Sequence, residues 1–195
     1  MKKLYCFDFD GTLTTKDTMF QFLRYYDRKK YYWALAKHLP LFALLKVKLL
    51  PAEPVKRSFI SSVLKGERKE KLEQRAQIFF DSNHQELLRE LAKEFLDSRN
   101  KELTQSVLVT ASLDVWTKPF ADFYEMDLIA TRAQFKEGVF TGKFLGTNCN
   151  GEEKVNRLKD YLIDRSFDKI IAFGDTSNDY PMMEFAQESH FRFFH

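Results

Sequence analysis

The strongest constraint on the fold lies at the start of the chain, where an apolar run ends in two aspartates and a glycine. Residues 4–12 read LYCFDFDGT, so Asp8 and Asp10 stand one residue apart. A continuous apolar run bounded by turn residues predicts a strand buried on both faces, as in a parallel sheet. Because ligands of such sheets bind beyond the carboxyl ends of the strands, both aspartates are predicted to lie where chemistry occurs.

The two carboxylates at this strand end need a counter-charge. Side by side they repel each other, and one would take up a proton unless a cation lies between them. A divalent metal ion leaves both ionised, while Gly11 can adopt positive φ and offer backbone N–H groups to an anion. Together these features indicate phosphoryl chemistry, although two solvated acids before a turn glycine would give the same short motif.

The composition is that of a globular protein with a sizeable core. The 195 residues are 44% hydrophobic and 30% charged, and 20 phenylalanines predict a well-filled core or an apolar pocket. A net charge of +3 is too small to indicate nucleic acid as a partner. Two cysteines make no disulfide framework, and residues 1–3 run directly into the charged motif, too soon for a signal peptide. We therefore expect a cytoplasmic protein.

A long helical block follows the opening motif. From Met19 to about Ser82 the apolar residues recur with helical spacing and no segment is typical of a strand. Pro40 is predicted to kink or divide one of these helices. The block is too large for a simple crossover connection, so we interpret residues 17–82 as an inserted all-helical cap.

The remainder of the chain alternates strands with helices. Buried-strand runs are predicted at 106–109, 128–130 and 169–173, a hairpin at 135–140, and a final strand-like segment at 191–194. Alternation of this kind predicts an α/β fold with a doubly wound, mostly parallel sheet. Residues 1–16 and 83–195 would form this core domain.

A second acidic cluster follows the run at 169–173. Residues 174–179 read GDTSND, and in a parallel sheet Asp175 would come near Asp8 and Asp10. Acids converging on one rim need a cation, and oxygen-only ligands favour Mg²⁺. The alternative is a helix cap, since Ser177 and Asn178 are good N-cap residues.

Three further residues are candidates for binding an anion. Thr110 and Ser112 follow the run at 106–109, where a hydroxyl could hold phosphoryl oxygens, although both residue types commonly cap helices. Lys154 opens a helix, where the helix dipole disfavours a cation, so a specific anionic partner is one interpretation and a solvated lysine the other.

In their order and spacing, the motif at residues 8–12, Thr110, Lys154 and the motif at residues 174–179 resemble the haloacid dehalogenase-like (HAD) phosphatases. The helical insert resembles the C1 cap of subfamily IB, the branch that contains phosphoserine phosphatase. The resemblance covers essentially the whole chain. It implies a Rossmann-like core and an Mg²⁺-dependent enzyme that hydrolyses phosphate monoesters.

The resemblance also implies roles for the site residues. Asp8 would attack phosphorus to form an aspartyl-phosphate, and Asp10 would protonate the leaving oxygen and then deprotonate water. Mg²⁺ would be held by Asp8, by the backbone carbonyl of Asp10 and by Asp175. The remaining residues would contact a metal ligand, the phosphoryl group or the substrate. Asp179 would orient a metal ligand, Thr110 and Lys154 would hold phosphoryl oxygens, and Gly11, Ser112 and Asn178 would contact the substrate.

Other functions on related frameworks fit less well. A dehalogenase needs neither metal nor a leaving-group acid, so Asp10 argues for phosphate esters. Receiver domains, which carry phosphoaspartate as a signal, lack a cap and a late acidic cluster, and a binding protein without turnover would be expected to have lost a carboxylate. A phosphotransferase on the same fold stays open as an alternative.

The substrate is expected to be selected by the cap. Asp17 takes the place of a glutamate that reads the substrate amine in phosphoserine phosphatases, and Ala-Ser rather than a glycine-rich stretch follows Thr110. Phosphoserine, another small metabolite and a phospholipid head group therefore all remain candidates. The sequence does not fix the oligomeric state. Relatives usually continue past the last strand, so the stop at His195 reflects either a truncated chain or a short natural tail.

Part of the cap is both basic and aromatic. Between Arg24 and Lys48 the only acid is Asp27, while aromatic and leucine side chains lie among many lysines and arginines. This segment, with residues 146–149, also resembles a branch that includes bacterial phosphatidylglycerophosphate phosphatases. Such a surface could touch an anionic membrane. A cap core with solvated lysines would give the same pattern.

Overall fold

The computed structural model describes residues 2–47 and 49–195, within which the chain forms seven strands and eight α-helices. The strands are β1 (Lys3–Phe7), β2 (Thr104–Leu113), β3 (Asp127–Thr131), β4 (Ala133–Lys136), β5 (Val139–Phe144), β6 (Lys169–Gly174) and β7 (Glu188–Phe191). The helices are α1 (Thr18–Tyr26), α2 (Arg28–Lys46), α3 (Ala52–Leu64), α4 (Lys69–Leu87), α5 (Glu90–Ser98), α6 (Asp114–Phe123), α7 (Glu152–Leu162) and α8 (Tyr180–Phe185).

Five strands form one parallel sheet in the order β3-β2-β1-β6-β7, with β1 at its centre. In this register Phe7 lies opposite Leu108 on one side and Phe173 on the other. The carboxyl ends of β1, β2 and β6 therefore lie on one rim. The predicted doubly wound parallel fold is confirmed.

The sheet is buried on both faces because its strand residues alternate between two apolar clusters. Leu4 and Cys6 pack on one face against a cluster that includes Leu158 of α7. Phe7 and Phe173 stack on the opposite face, with ring centroids 4.9 Å apart. That face carries most of the phenylalanine-rich core and contacts the helical insert.

The insert between β1 and β2 consists of α1 to α4, followed by α5. The boundary predicted between residues 82 and 83 falls inside α4, and the division into cap and core stays a prediction. The β4–β5 hairpin, predicted as part of the core, bonds to the segment after α3. Phe140 accepts a hydrogen bond from the Gly66 N–H and donates to Glu67 O, at 3.0 and 2.9 Å.

Two local features differ from the prediction. Pro40 lies inside the single helix α2 and does not divide it, while a kink at this residue stays a prediction. Because both Pro40 and Ala36 are exposed, water can bind the carbonyl that the proline leaves unpaired. The last strand ends at Phe191 instead of beginning there, because Arg192 takes a positive φ of 53° and turns the chain.

Candidate active site

Three aspartates meet at the carboxyl ends of the two central strands. Asp8 follows β1 and Asp175 follows β6, which pairs with β1 in parallel. Asp179 lies in a 3₁₀ turn, Ser177–Asp179, and one oxygen of each carboxylate lies within 4.8 Å of the others. The sequence prediction placed these acids at one rim, and the structure brings them together there.

Lys154 is the buried counter-charge of this cluster. Its side chain is 1% exposed, and its Nζ donates to Asp8 Oδ1 at 2.5 Å and to Asp179 Oδ1 at 2.7 Å. Burial alone would lower the pKa of Lys154, but the two carboxylates outweigh it and raise the pKa above its ordinary value. The ammonium therefore stays charged, with one of its three N–H groups left for another acceptor.

Asp179 fixes the loop after β6. Its second oxygen accepts from the backbone N–H groups of Asp175 and Thr176 at 3.2 and 3.0 Å, and from the Thr176 hydroxyl at 3.1 Å. Burial opposes ionisation of Asp179, but Lys154 and these donors prevail, so its pKa is lowered. Gly174 is required here, since a Cβ would lie 2.4 Å from Asp179 Cβ.

Thr12 joins the two acids that follow the central strands. Its hydroxyl lies 3.0 Å from Asp8 Oδ2 and 3.1 Å from Asp175 Oδ1, and it can donate to only one of them at a time. Three carboxylates against one ammonium leave a net negative charge in a buried pocket. This set of oxygen donors fits Mg²⁺, which prefers carboxylates and water.

Asp10 is held apart from that cluster. Its Oδ1 accepts from the backbone N–H and the hydroxyl of Thr18, both at 2.6 Å, and its Oδ2 accepts from Ser112 Oγ at 2.5 Å. Trp116 Nε1 in turn donates to the Thr18 hydroxyl at 3.2 Å. The Asp10 carboxylate is thus outside the three-acid group, so a metal contact from this residue would use its backbone carbonyl.

Gly11 adopts the predicted positive φ, at +90°, but its N–H is not free. The N–H donates to Thr14 Oγ1 at 3.2 Å, so the free N–H that we expected for an anion is already bonded. The glycine also provides space, because a Cβ would lie 2.4 Å from Asp175 Oδ2.

Substituting Gly11→Ala therefore has two costs that a control can separate. Gly66 has nearly the same φ, +88°, and a Cβ added there would meet nothing within 4 Å. We expect Gly66→Ala to lower the free energy of unfolding by about 1 kcal/mol through backbone strain alone. Gly11→Ala should cost more than this control and weaken Mg²⁺ binding, because Asp175 must move. If both variants lose the same free energy of unfolding in urea titrations, and Gly11→Ala leaves metal affinity unchanged, a Cβ at residue 11 does not displace Asp175.

A cleft of about 230 Å³ opens beside these residues, between the rim of the sheet and the insert. Two predicted substrate residues line it, Asn178 from the 3₁₀ turn and Asp17, which also caps α1 by accepting the Met19 N–H at 2.9 Å. Thr110 lines it as well, but among the described residues Gly11 and Ser112 do not. The lining described here is completed by Asp8, Asp10, Ala52, Glu53, Lys56, Ala111, Asn148, Asn150, Lys154, Thr176 and Asp179.

Sequence reasoning missed three residues of this site, Thr12, Thr18 and Lys56. Thr12 stands inside the first motif, which was a usable signal for its hydroxyl. Thr18 and Lys56 carry no such signal, because their placement depends on how the insert packs on the rim.

The pKa of Asp8 predicts how stability depends on pH when no metal is bound. Burial raises this pKa from 3.8 to about 7, against the opposing charge of Lys154, with Asp179 adding to the rise. Between pH 4 and 7 the folded state therefore binds more protons than the unfolded state, so the free energy of unfolding falls as pH rises. The decrease from this group is on the order of 1.4 kcal/mol per pH unit.

Urea unfolding in EDTA at pH 5 and pH 8 measures this difference. Asp8→Asn should reduce the slope, and saturating Mg²⁺ should do the same for the unmodified protein, because the cation favours the ionised carboxylate. The pKa of Asp17, raised to about 6 by its desolvation and by Asp10, adds a slope of the same sign that both controls retain. If Asp8→Asn leaves the slope of the unfolding free energy against pH unchanged, the pH dependence does not come from Asp8.

Comparison with known proteins relates this geometry to a family. A model of the haloacid dehalogenase-like hydrolases matches residues 6–184. Protein CicA of Caulobacter vibrioides is 32% identical to this chain over 193 residues, an alignment that covers 98% of this chain and 86% of CicA. A protein of unknown function from Bordetella pertussis Tohama I superposes with a TM-score of 0.85 at 23% identity, covering 97% and 89% of the two chains. A phospho-aspartyl intermediate analogue of phosphoserine phosphatase gives a TM-score of 0.65 at 21% identity, over 96% and 85%.

Proposed function

The chain belongs to the haloacid dehalogenase-like hydrolases, and we propose that within this family it is an Mg²⁺-dependent phosphomonoester hydrolase working through an aspartyl-phosphate. The family and the enzyme class agree with the sequence prediction, since both identify a hydrolase. The assignment to subfamily IB stays a prediction. One observation carries the proposal. Asp8 lies in a set of three acids whose oxygens are close enough to hold a metal ion, beside a buried lysine, and a further acid, Asp10, is held separately at the same cleft.

The proposed first step is attack by a carboxylate oxygen of Asp8 on phosphorus, with departure of the alcohol. Asp10 would give the leaving oxygen its proton. The Thr18 N–H can only donate, so the proton belongs on Asp10 Oδ2, where the Ser112 hydroxyl can rotate to accept it. After the alcohol leaves, Asp10 would take a proton from the water that hydrolyses the aspartyl-phosphate.

Charge on the transferring group would be met by residues of the core. Lys154 has one N–H free of Asp8 and Asp179, and Thr110 offers its hydroxyl at the same cleft. Mg²⁺, held by Asp8, Asp175 and the Asp10 carbonyl, would supply neutralisation of the phosphoryl oxygens when bound. Asp179 would act by holding Lys154 and the loop that carries Asp175.

The test is release of inorganic phosphate from a panel of monoesters containing a phosphoamino acid, sugar phosphates and a lysophospholipid phosphate. We expect release with Mg²⁺ and none after EDTA. Adding small alcohols tests the phosphotransferase alternative, which predicts new phosphate esters in place of free phosphate. Failure to release phosphate from any ester, or release that persists in Asp8→Asn, would reject the proposed hydrolase.

A second proposal concerns peripheral contact of α2 with an anionic membrane. This helix buries Tyr31, Ala34 and His38, while Trp33 on its other side is 76% exposed. Val47, the residue that follows the helix, is 61% exposed. The cations of the helix include Arg28, Lys29, Lys30, Lys37 and Lys46, and Lys48 lies outside the described residues. The proposed contact is with the bilayer surface, through the exposed basic and apolar side chains of α2. Among the described helices none is long and apolar enough to cross a membrane.

Co-sedimentation with vesicles tests this surface. We expect binding to vesicles that contain anionic lipid and weaker binding after Trp33→Ala, whereas Ile163→Ala, another exposed apolar side chain at 75%, should bind like the unmodified protein. Absence of binding to anionic vesicles would reject the contact. A cytoplasmic location and the division into core and cap are retained as predictions.

A further inference from the structure

Asn148, in the loop between β5 and α7, lines the catalytic cleft and has no part in the chemistry proposed above. The residue is 9% exposed, and its Oδ1 lies 2.8 Å from the hydroxyl of Thr131, the last residue of β3. Asn150 and Asn178 also line the cleft, but neither forms a side-chain hydrogen bond with another described residue. Asn148 is therefore the amide of this lining whose orientation is fixed.

The hydrogen bonds of Thr131 determine which way the Asn148 amide points. The Thr131 hydroxyl accepts from the Cys149 backbone N–H at 2.9 Å, so its own single proton is left for one acceptor. Two oxygens lie within reach, Asn148 Oδ1 at 2.8 Å and the Ala111 carbonyl at 3.0 Å. The Ala111 carbonyl already accepts from Lys56 Nζ at 3.0 Å. The hydroxyl proton therefore goes to Asn148 Oδ1, and the amide NH₂ group points away from Thr131.

The amide nitrogen of Asn148 faces the cleft. Within residues 2–47 and 49–195 it has no hydrogen-bond partner. In that part of the chain Tyr26 Oη is the one fully buried side-chain nitrogen or oxygen without a partner, so the Asn148 nitrogen is in contact with solvent. Because Asn148 is otherwise buried and lines the cleft, this solvent is that of the cleft. Two N–H donors are thus presented to a bound ligand.

The order of the strands places Asn148 on the side of Asp8 that is remote from Asp175. Along the sheet β6, β1, β2 and β3 are successive neighbours. Asp175 follows β6 and Asp8 follows β1, while Thr110 lies in β2 and Thr131, which holds Asn148, ends β3. A phosphoryl group at Asp8 that has one oxygen on the Asp175 side therefore has another on the side of Thr110 and Asn148.

We propose that the Asn148 amide donates a hydrogen bond to a phosphoryl oxygen of the substrate, as a third donor beside Thr110 and Lys154. This inference rests on the proposed hydrolase function and adds a binding residue to its site. A donor that is fixed before the substrate binds needs no reorganisation when charge shifts on the phosphoryl group. Arg157 of α7 adds to this order, because it donates to the carbonyl of Thr147 at 2.5 Å and so holds the loop that carries the amide.

The experiment measures the binding of inorganic phosphate by calorimetry in the presence of Mg²⁺. We expect Asn148→Ala to weaken this binding by about tenfold, since a hydrogen bond to a charged acceptor is lost. Asn148→Asp should weaken it further, although its side chain has the same shape and can still accept from Thr131. The new carboxylate places an acceptor and a negative charge where phosphate needs a donor. Asn156→Ala, which changes an exposed asparagine of α7, should bind phosphate like the unmodified protein.

The aspartate variant separates contact with phosphate from support of the loop. If Asn148 only anchors the loop through Thr131, Asn148→Asp should bind phosphate as well as the unmodified protein does, and that result would overturn the inference. A loss no larger than that of Asn150→Asp would overturn it too, because the effect would then come from charge anywhere in the cleft. So would an unmodified protein that binds no phosphate. Urea unfolding checks that both variants are folded, and Asn148→Ser takes the place of either one that is not.

Turnover of the monoester panel separates the two proposals. Every monoester presents the same phosphoryl group, so Asn148→Ala should lower kcat/KM by a similar factor for all of them. A loss confined to certain leaving groups would place the amide on the leaving group and overturn the inference. If phosphate binding depends on Asn148 but no ester is hydrolysed, the hydrolase proposal fails and the role of Asn148 stands. If esters are hydrolysed and both variants bind phosphate and turn over like the unmodified protein, the hydrolase stands and the role of Asn148 fails.

Discussion

Asp8→Asn is expected to lower kcat by at least about 10⁴-fold while leaving the protein folded. The amide has nearly the same shape as the carboxylate, and its oxygen can still accept from Lys154 or Thr12, each about 3 Å or less away. It cannot attack phosphorus as a carboxylate does, and it removes one negative charge from the set that would hold Mg²⁺. We therefore expect Asp8→Asn to lose its activity while the protein stays folded.

The measurement combines turnover, thermal unfolding and trapping of the covalent intermediate. Unmodified protein mixed with radiolabelled substrate and quenched in acid should retain label that hydroxylamine removes, as expected for an acyl phosphate. Asp8→Asn should retain none. Asp164→Asn, an exposed aspartate far along the chain, controls for the change of charge. Label retained at an unchanged level in Asp8→Asn would show that another residue is the nucleophile.

The central sheet could be predicted because its strands are short apolar runs that only a doubly covered sheet would bury. β1 and β6 each end in acids and small polar residues, and that repetition also predicted which acids would meet. The end of β7 and the docking of the β4–β5 hairpin onto the insert could not be predicted. They depend on the positive φ of Arg192 and on hydrogen bonds between Phe140 and the Gly66–Glu67 segment, which no local pattern indicates.

Residue types were easier to predict at the site than their hydrogen bonds. The sequence indicated that Asp10 and Ser112 belong to the site, but their direct bond joins residues 102 positions apart and follows from the register of β2 on β1. Thr18 and Lys56 come from helices whose orientation on the rim is set by packing of the phenylalanine-rich core. The N–H of Gly11 was misjudged because Thr14, three residues later, folds back to accept it.

Replacing Lys154 by methionine is expected to destabilise the protein more than any other single change at the site, by about 3–5 kcal/mol at pH 8. The side chains have similar length, but the change leaves Asp8 and Asp179 buried beside each other without their shared ammonium. Uncompensated charge in a buried pocket is far more costly than the modest repacking that methionine requires. Phosphatase activity should be lost too, since Lys154 contacts the proposed nucleophile.

Urea unfolding measures the loss, with Lys159→Met, an exposed lysine near the end of the same helix, as the matched control. Two conditions should restore part of the stability of Lys154→Met. At pH 5 the Asp8 carboxyl can hold a proton, because burial already raises its pKa to about 7 and loss of the ammonium raises it further. At pH 8, Mg²⁺ can replace the missing positive charge between the carboxylates. If Lys154→Met is destabilised equally at pH 5 and pH 8, and Mg²⁺ does not change its stability, Lys154 supports packing rather than charge balance. The close placement of the three acids would then need another explanation.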